Sequence, residues 1–75
     1  MNYYQLEKYL EEKGFDFDRD ITVERGGEVC VGLSCYVPPI ISSMRLDRLK
    51  EVLPEGFVAN YFPNIQNIVI TKKDV

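Results

Sequence analysis

At 75 residues, with 45% hydrophobic side chains and a net charge of -3, the chain has the size and composition of one small globular domain spanning residues 1–75. It holds no histidine and only 2 cysteines, and its acids outnumber its bases 12 to 9. That excludes Ser-His and Cys-His nucleophile activation, the common zinc centres and a basic nucleic-acid footprint.

The acidity belongs to the first part of the chain. Residues 1–28 carry Glu7, Glu11, Glu12, Asp16, Asp18, Asp20, Glu24 and Glu28 against Lys8, Lys13, Arg19 and Arg25. No apolar run approaches the roughly 18–20 residues of a membrane span, and no signal segment opens the chain. The expected compartment is cytoplasmic, with no membrane partner.

Asn2 and Gln5 have the spacing of a capping box and predict a first helix. Tyr3, Leu6, Tyr9, Leu10 and Lys13 share one helical face, with Glu7, Lys8, Glu11 and Glu12 on the other. Tyr4 points to the charged side, beside Lys8 and Glu11. Gly14 stops the helix.

Residues 15–24 alternate as a strand, with Phe15, Phe17, Ile21 and Val23 on one side and Asp16, Asp18, Asp20, Thr22 and Glu24 on the other. Residues 29–37 alternate as well, and Gly26-Gly27 marks a hairpin between them. A two-residue loop would put the two apolar sides on opposite faces. A three-residue loop, Arg25-Gly26-Gly27, pairs Val23 with Val29, Ile21 with Val31 and Phe17 with Cys35, all on one face. Burial selects this second register, with Gly27 left-handed. Cys30 and Cys35 then stand roughly 16 Å apart on opposite faces, beyond the ~7 Å reach of a disulfide, and are expected as thiols.

Val37 to Ile41 reads as a stiff connector, since proline fits neither a helix interior nor a central strand. Ser42 or Ser43 caps a second helix with an apolar stripe of Met44, Leu46, Leu49, Val52 and Leu53, ended by Pro54-Glu55-Gly56. Residues 57–62 and 65–71 form a second hairpin around Pro63-Asn64. Its register stays open, because Phe57-Val58-Ala59 and Ile68-Val69-Ile70 are apolar on both sides. The last residues, from Lys72, read as a frayed tail.

The order α-β-β-α-β-β repeats one unit over about 2–37 and 42–71. The expected class is α+β: a four-stranded, mostly antiparallel sheet with two helices on one face, ferredoxin-like with its first strand moved to the end. Such a topology carries no activity of its own.

No phosphate-cradling loop is present. Asp16-Phe17-Asp18-Arg19-Asp20 begins like a calcium loop, but its sixth position is Ile21 and its twelfth Gly27, so the glycine and glutamate of that pattern are missing. No catalytic residue, cofactor or metal site is expected.

The expected working surface is the outer sheet face. There Asp16, Asp18, Asp20 and Thr22 lie opposite Tyr36, Ser34, Gly32 and Cys30. An acidic row beside a row without charge suits contact with a protein, whether a partner or a second copy, because a solvated face usually carries charge. The functional expectation is a small non-enzymatic binding or regulatory module acting through Asp16, Asp18, Asp20, Cys30, Ser34 and Tyr36, with Tyr4 as an outlying contact. One alternative is a phage or mobile-element inhibitor of a nucleic-acid-handling host system, of anti-CRISPR or anti-restriction type, with the acids imitating a polyanion. Another is a single-strand nucleic-acid binder stacking bases on Tyr36 and Tyr61, which the adjacent aspartates oppose.

Overall fold

The computed structural model describes residues 1–25 and 28–73, with the backbone alone given for 18–25 and 28–31. The chain is α+β, in the order α1 (Tyr3–Glu12), β1 (Asp18–Arg25), β2 (Glu28–Tyr36), α2 (Pro39–Val52), β3 (Phe57–Phe62) and β4 (Asn67–Lys72).

Helix α1 starts where local chemistry dictates. The Gln5 N–H donates to Asn2 Oδ1 at 2.8 Å and the Asn2 N–H donates to Gln5 Oε1 at 2.9 Å, satisfying two donors that a helix start leaves orphaned. Leu6 and Leu10 are its buried face. Gly14 and Gly56, each following a helix, have φ of 90° and 98°, a region costly for any residue with a Cβ.

Helix α2 departs from expectation at its start. It begins at Pro39, with Pro38 as its N-cap, not at Ser42 or Ser43. A proline in the first turn gives up only an N–H that has no helical partner there, and its φ is already helical. Ser42 lies inside the helix and its Oγ donates back to the Pro39 carbonyl at 2.9 Å. The apolar stripe holds at Leu46, Leu49, Val52 and Leu53, which form or pack against the core, and loses only Met44. Leu49 is the buried residue of α2, while Met44 is 62% exposed.

The strands form one antiparallel sheet in the order β1-β2-β4-β3. Strand β1 begins at Asp18, so Phe15 and Phe17 precede it and are buried in the core from the connector. The expected three-residue loop and its Val23–Val29 pair are overturned, and Phe17, expected opposite Cys35, lies before β1. Arg25 pairs with Glu28 and Val23 with Cys30, which leaves two residues, 26 and 27, between the strands. Gly27, expected to be left-handed, lies outside the described residues.

Past an irregularity between Asp20 and Val23 the pairing becomes Asp20 with Gly32, Arg19 with Leu33 and Asp18 with Ser34. A tight turn and a core-compatible register demand different offsets, and one extra residue in β1 reconciles them, as a β-bulge does. The second hairpin pairs Phe62 with Asn67, so residues 63–66 form its turn and β4 starts two residues later than expected.

Both helices contribute to one core. Leu6 and Leu10 of α1 and Leu49 of α2 meet Phe15, Phe17, Leu33, Val37, Phe57, Ala59, Ile68 and Ile70. Leu33 pairs with Ile70 and Ile70 with Ala59, so one side of β2, β4 and β3 faces the helices. Three tyrosines tie the elements together by their hydroxyls. Tyr9 donates to the Val52 carbonyl of α2 at 3.0 Å, Tyr61 donates to the Val37 carbonyl at 3.2 Å, and Tyr3 accepts from the Lys72 N–H at 2.9 Å.

Candidate functional site: the outer sheet face

Alternation on the strands leaves the other sheet face uncovered by either helix. From β2 it presents Gly32, Ser34 and Tyr36, from β4 Asn67, Val69 and Thr71, and from β3 Val58, Asn60 and Phe62. None of these nine residues is charged. They fall into rows. Tyr36, Asn67 and Phe62 make one, Ser34, Val69 and Asn60 the next, and Thr71 with Val58 a third, where Gly32 approaches Thr71.

The aromatic row marks one end of the molecule. Tyr36 is 66% exposed and Phe62 46% exposed. The Tyr36 hydroxyl donates to Gln66 Oε1 at 2.8 Å, which holds the ring beside the 63–66 turn. Ile65 in that turn and Ile40 at the start of α2 are also exposed. Ile40 and Met44 are four residues apart and so share a helix face. Exposed apolar side chains thus gather where β2 and β3 end and α2 begins.

Gly32 has a structural cause. A Cβ there would come within 2.8 Å of the Ile70 carbonyl oxygen and 3.3 Å of Thr71 Cγ2. The gap in the row at this position follows from close backbone approach beside the irregular stretch of β1.

The acids expected on this face are only partly assembled. The backbone register places Asp18 opposite Ser34 and Asp20 opposite Gly32, as the sequence suggested. Asp16 is exposed but lies before β1, so its expected pairing with Tyr36 is absent. Cys30 pairs with Val23 instead of Thr22, because the tight turn shifts the tip of the hairpin by one residue. Cys35 is a half-buried thiol facing the core side, its Sγ 3.7 Å from the Tyr36 carbonyl oxygen. Tyr4 does not join the face. It sits on α1, in the layer on the opposite side of the sheet, with Lys8 Nζ 5.7 Å from its ring centre.

Tyr61 does not join it either. It packs against the core and bonds to Val37, so it cannot stack a base beside Tyr36. The aromatic that shares the face with Tyr36 is its sequence neighbour, Phe62. A signal for this lay in the charge distribution: residues 29–44 and 56–71 contain no Asp, Glu, Lys or Arg. Two such stretches in a chain that is 28% charged single out the surface they build.

A concavity of about 440 Å³ opens at the β3 edge, between α2 and β3. Lys50, Glu55 and Lys73 are its charged lining residues, beside Leu53, Phe57 and Asn60. It is open to solvent. Among the described residues no group of three or more His, Cys, Asp or Glu is placed to hold a metal ion, and no helix is long and apolar enough to cross a membrane.

Comparison with protein-family models, curated proteins and solved structures finds no match for this chain.

Proposed function

We propose that this chain is a small non-enzymatic binding module that works by protein–protein contact through the outer face of its sheet. The observation carrying this reading is the uncharged surface of β2, β4 and β3, left open on the side away from both helices, with Tyr36 and Phe62 standing in one row. Solvated antiparallel faces normally carry polar and charged side chains. Loss of charge together with exposed aromatics is the composition of an interface centre.

The order β1-β2-β4-β3 supports reading the architecture as a four-stranded ferredoxin-like sheet with its first strand moved to the end. That reading concerns shape alone. The acid-bearing strand β1 borders the uncharged surface and would steer a basic rim of a partner toward it.

The experiment is affinity capture from the native host, with wild-type chain as bait and Tyr36→Ser/Phe62→Ser as control. The reading expects the partner to be lost from the control bait. Recovery of the same partner at equal yield would overturn it.

A further inference from the structure

The sequence of rows across the open face has a symmetry of its own. Each row is centred on β4: Asn67 between Tyr36 and Phe62, and Val69 between Ser34 and Asn60. A two-fold axis running along β4 would lay one copy of the face on another and reverse each row. Tyr36 would then meet Phe62 of the second copy, and Ser34 would meet Asn60. Asn67 would meet Asn67, and Val69 would meet Val69. Where Gly32 leaves a hollow, the larger Val58 would stand opposite. A two-fold interface must be complementary to itself in this way. We infer that the occupant of the outer face is a second copy of this chain, packed sheet on sheet about a two-fold axis parallel to β4.

This inference rests on the reading of that face as a contact surface, and charge adds an independent argument for the occupant. Each copy has a net charge of -3, so most encounters between copies bring acids together. The nine described residues of the β2, β4 and β3 face carry no charge. The axis along β4 also leaves β1 unmatched, because no strand follows β3. Strand β1, with Asp18 and Asp20 in register with Ser34 and Gly32, then passes the β3 edge of the second copy. That edge is where Lys50, Glu55 and Lys73 line the concavity. An in-plane axis perpendicular to the strands would instead set β1, the strand that holds Asp18, Asp20 and Glu24, against its own copy, and is disfavoured.

The area sets the strength. Three strands about 4.8 Å apart and six residues of about 3.3 Å give the β2, β4 and β3 face a flat footprint of roughly 300 Å². Side-chain relief enlarges the accessible area, but it stays below the ~800 Å² per partner of a standard interface. A contact of that size belongs to the weak, transient class, so association is expected in the micromolar range or weaker.

Sedimentation of the purified chain from about 1 µM to about 1 mM, a span bracketing that affinity, tests it. The mass should rise from 8.7 kDa toward twice that value. Val69→Asp, and separately Phe62→Ser, should weaken association at least about tenfold while circular dichroism shows the fold retained.

Orientation is read with a bis-maleimide of about 10 Å reach, the spacing of packed sheets, in a Cys30→Ser/Cys35→Ser background. Asn67→Cys should cross-link to itself. Ser34→Cys and Asn60→Cys should cross-link efficiently only when mixed.

A chain that stays at 8.7 kDa throughout overturns the dimer. If Val69→Asp still abolishes host capture in that case, the contact surface stands and only its occupant was wrong. If capture also survives, both readings fall. Self-linkage of Ser34→Cys at the rate of Asn67→Cys overturns the proposed axis.

Discussion

Tyr36 and Phe62 stand in the same row of the outer face, on strands separated by β4, with Asn67 paired to both. Their rings are about two strand spacings, roughly 10 Å, apart. The hydroxyl of Tyr36 is anchored to Gln66 in the turn that follows Phe62. Two exposed aromatics are thus held in fixed relation by strand register and one hydrogen bond, on a surface without charge.

That absence of charge sets the salt response. Raising ionic strength from about 0.01 M to about 1 M shortens the Debye length from roughly 30 Å to roughly 3 Å. Contact centred on β2, β4 and β3 should keep its equilibrium affinity within about threefold over this range, measured by calorimetry. Contact carried by the aspartates of β1 would weaken far more.

Leu49 and Met44 lie on one helix and should behave oppositely. Leu49 is fully buried, and Leu49→Ala should cost about 2–5 kcal/mol. A core of this size supplies only ~3–5 kcal/mol, so the variant should be largely unfolded by circular dichroism. Met44→Ala, at an exposed site, should stay within about 0.5 kcal/mol of wild type.

Much of the fold was legible where local chemistry acts alone. The capping box of Asn2 and Gln5, the stop at Gly14 and the inward face of Leu6 and Leu10 involve residues within one or two turns of each other. The hairpin register was legible only in its inner half, where Asp18 meets Ser34 and Asp20 meets Gly32, because two demands competed at the tip. Gly26-Gly27 favours a tight turn while the core demands an offset of one, and the sequence does not announce that the stretch between Asp20 and Val23 absorbs the difference. Pro39 misled for a related reason: the same residue breaks a helix interior and starts a helix well. The outer face was half legible. Ser34 and Tyr36 showed as an uncharged row, but Phe57-Val58-Ala59 hid which of its residues faced out until strand pairing was known.

Gly32→Ala tests the close approach at the centre of the sheet. The added methyl would meet the Ile70 carbonyl oxygen at 2.8 Å, which backbone cannot relieve cheaply. A loss of about 1–3 kcal/mol is expected in urea unfolding. A neutral result would mean that β2 and β4 sit further apart than described.

Tyr9→Phe removes the hydroxyl that joins α1 to the end of α2 and leaves the ring in place. It should lower stability by about 0.5–1.5 kcal/mol, seen as a melting temperature lower by several degrees. The Val52 carbonyl then loses its side-chain donor, so the last turn of α2 should exchange its amides faster.

Covalent footprinting of the chain inside native-host extract bears most directly on whether the open sheet face is a working surface. Tyr36 and Phe62 are well exposed in the isolated chain, and Tyr4, 52% exposed on the opposite layer, supplies the internal reference. With the face covered, Tyr36 and Phe62 should be labelled several-fold less in extract than in dilute purified chain, while labelling of Tyr4 is unchanged. Equal labelling of all three in both conditions would contradict the account.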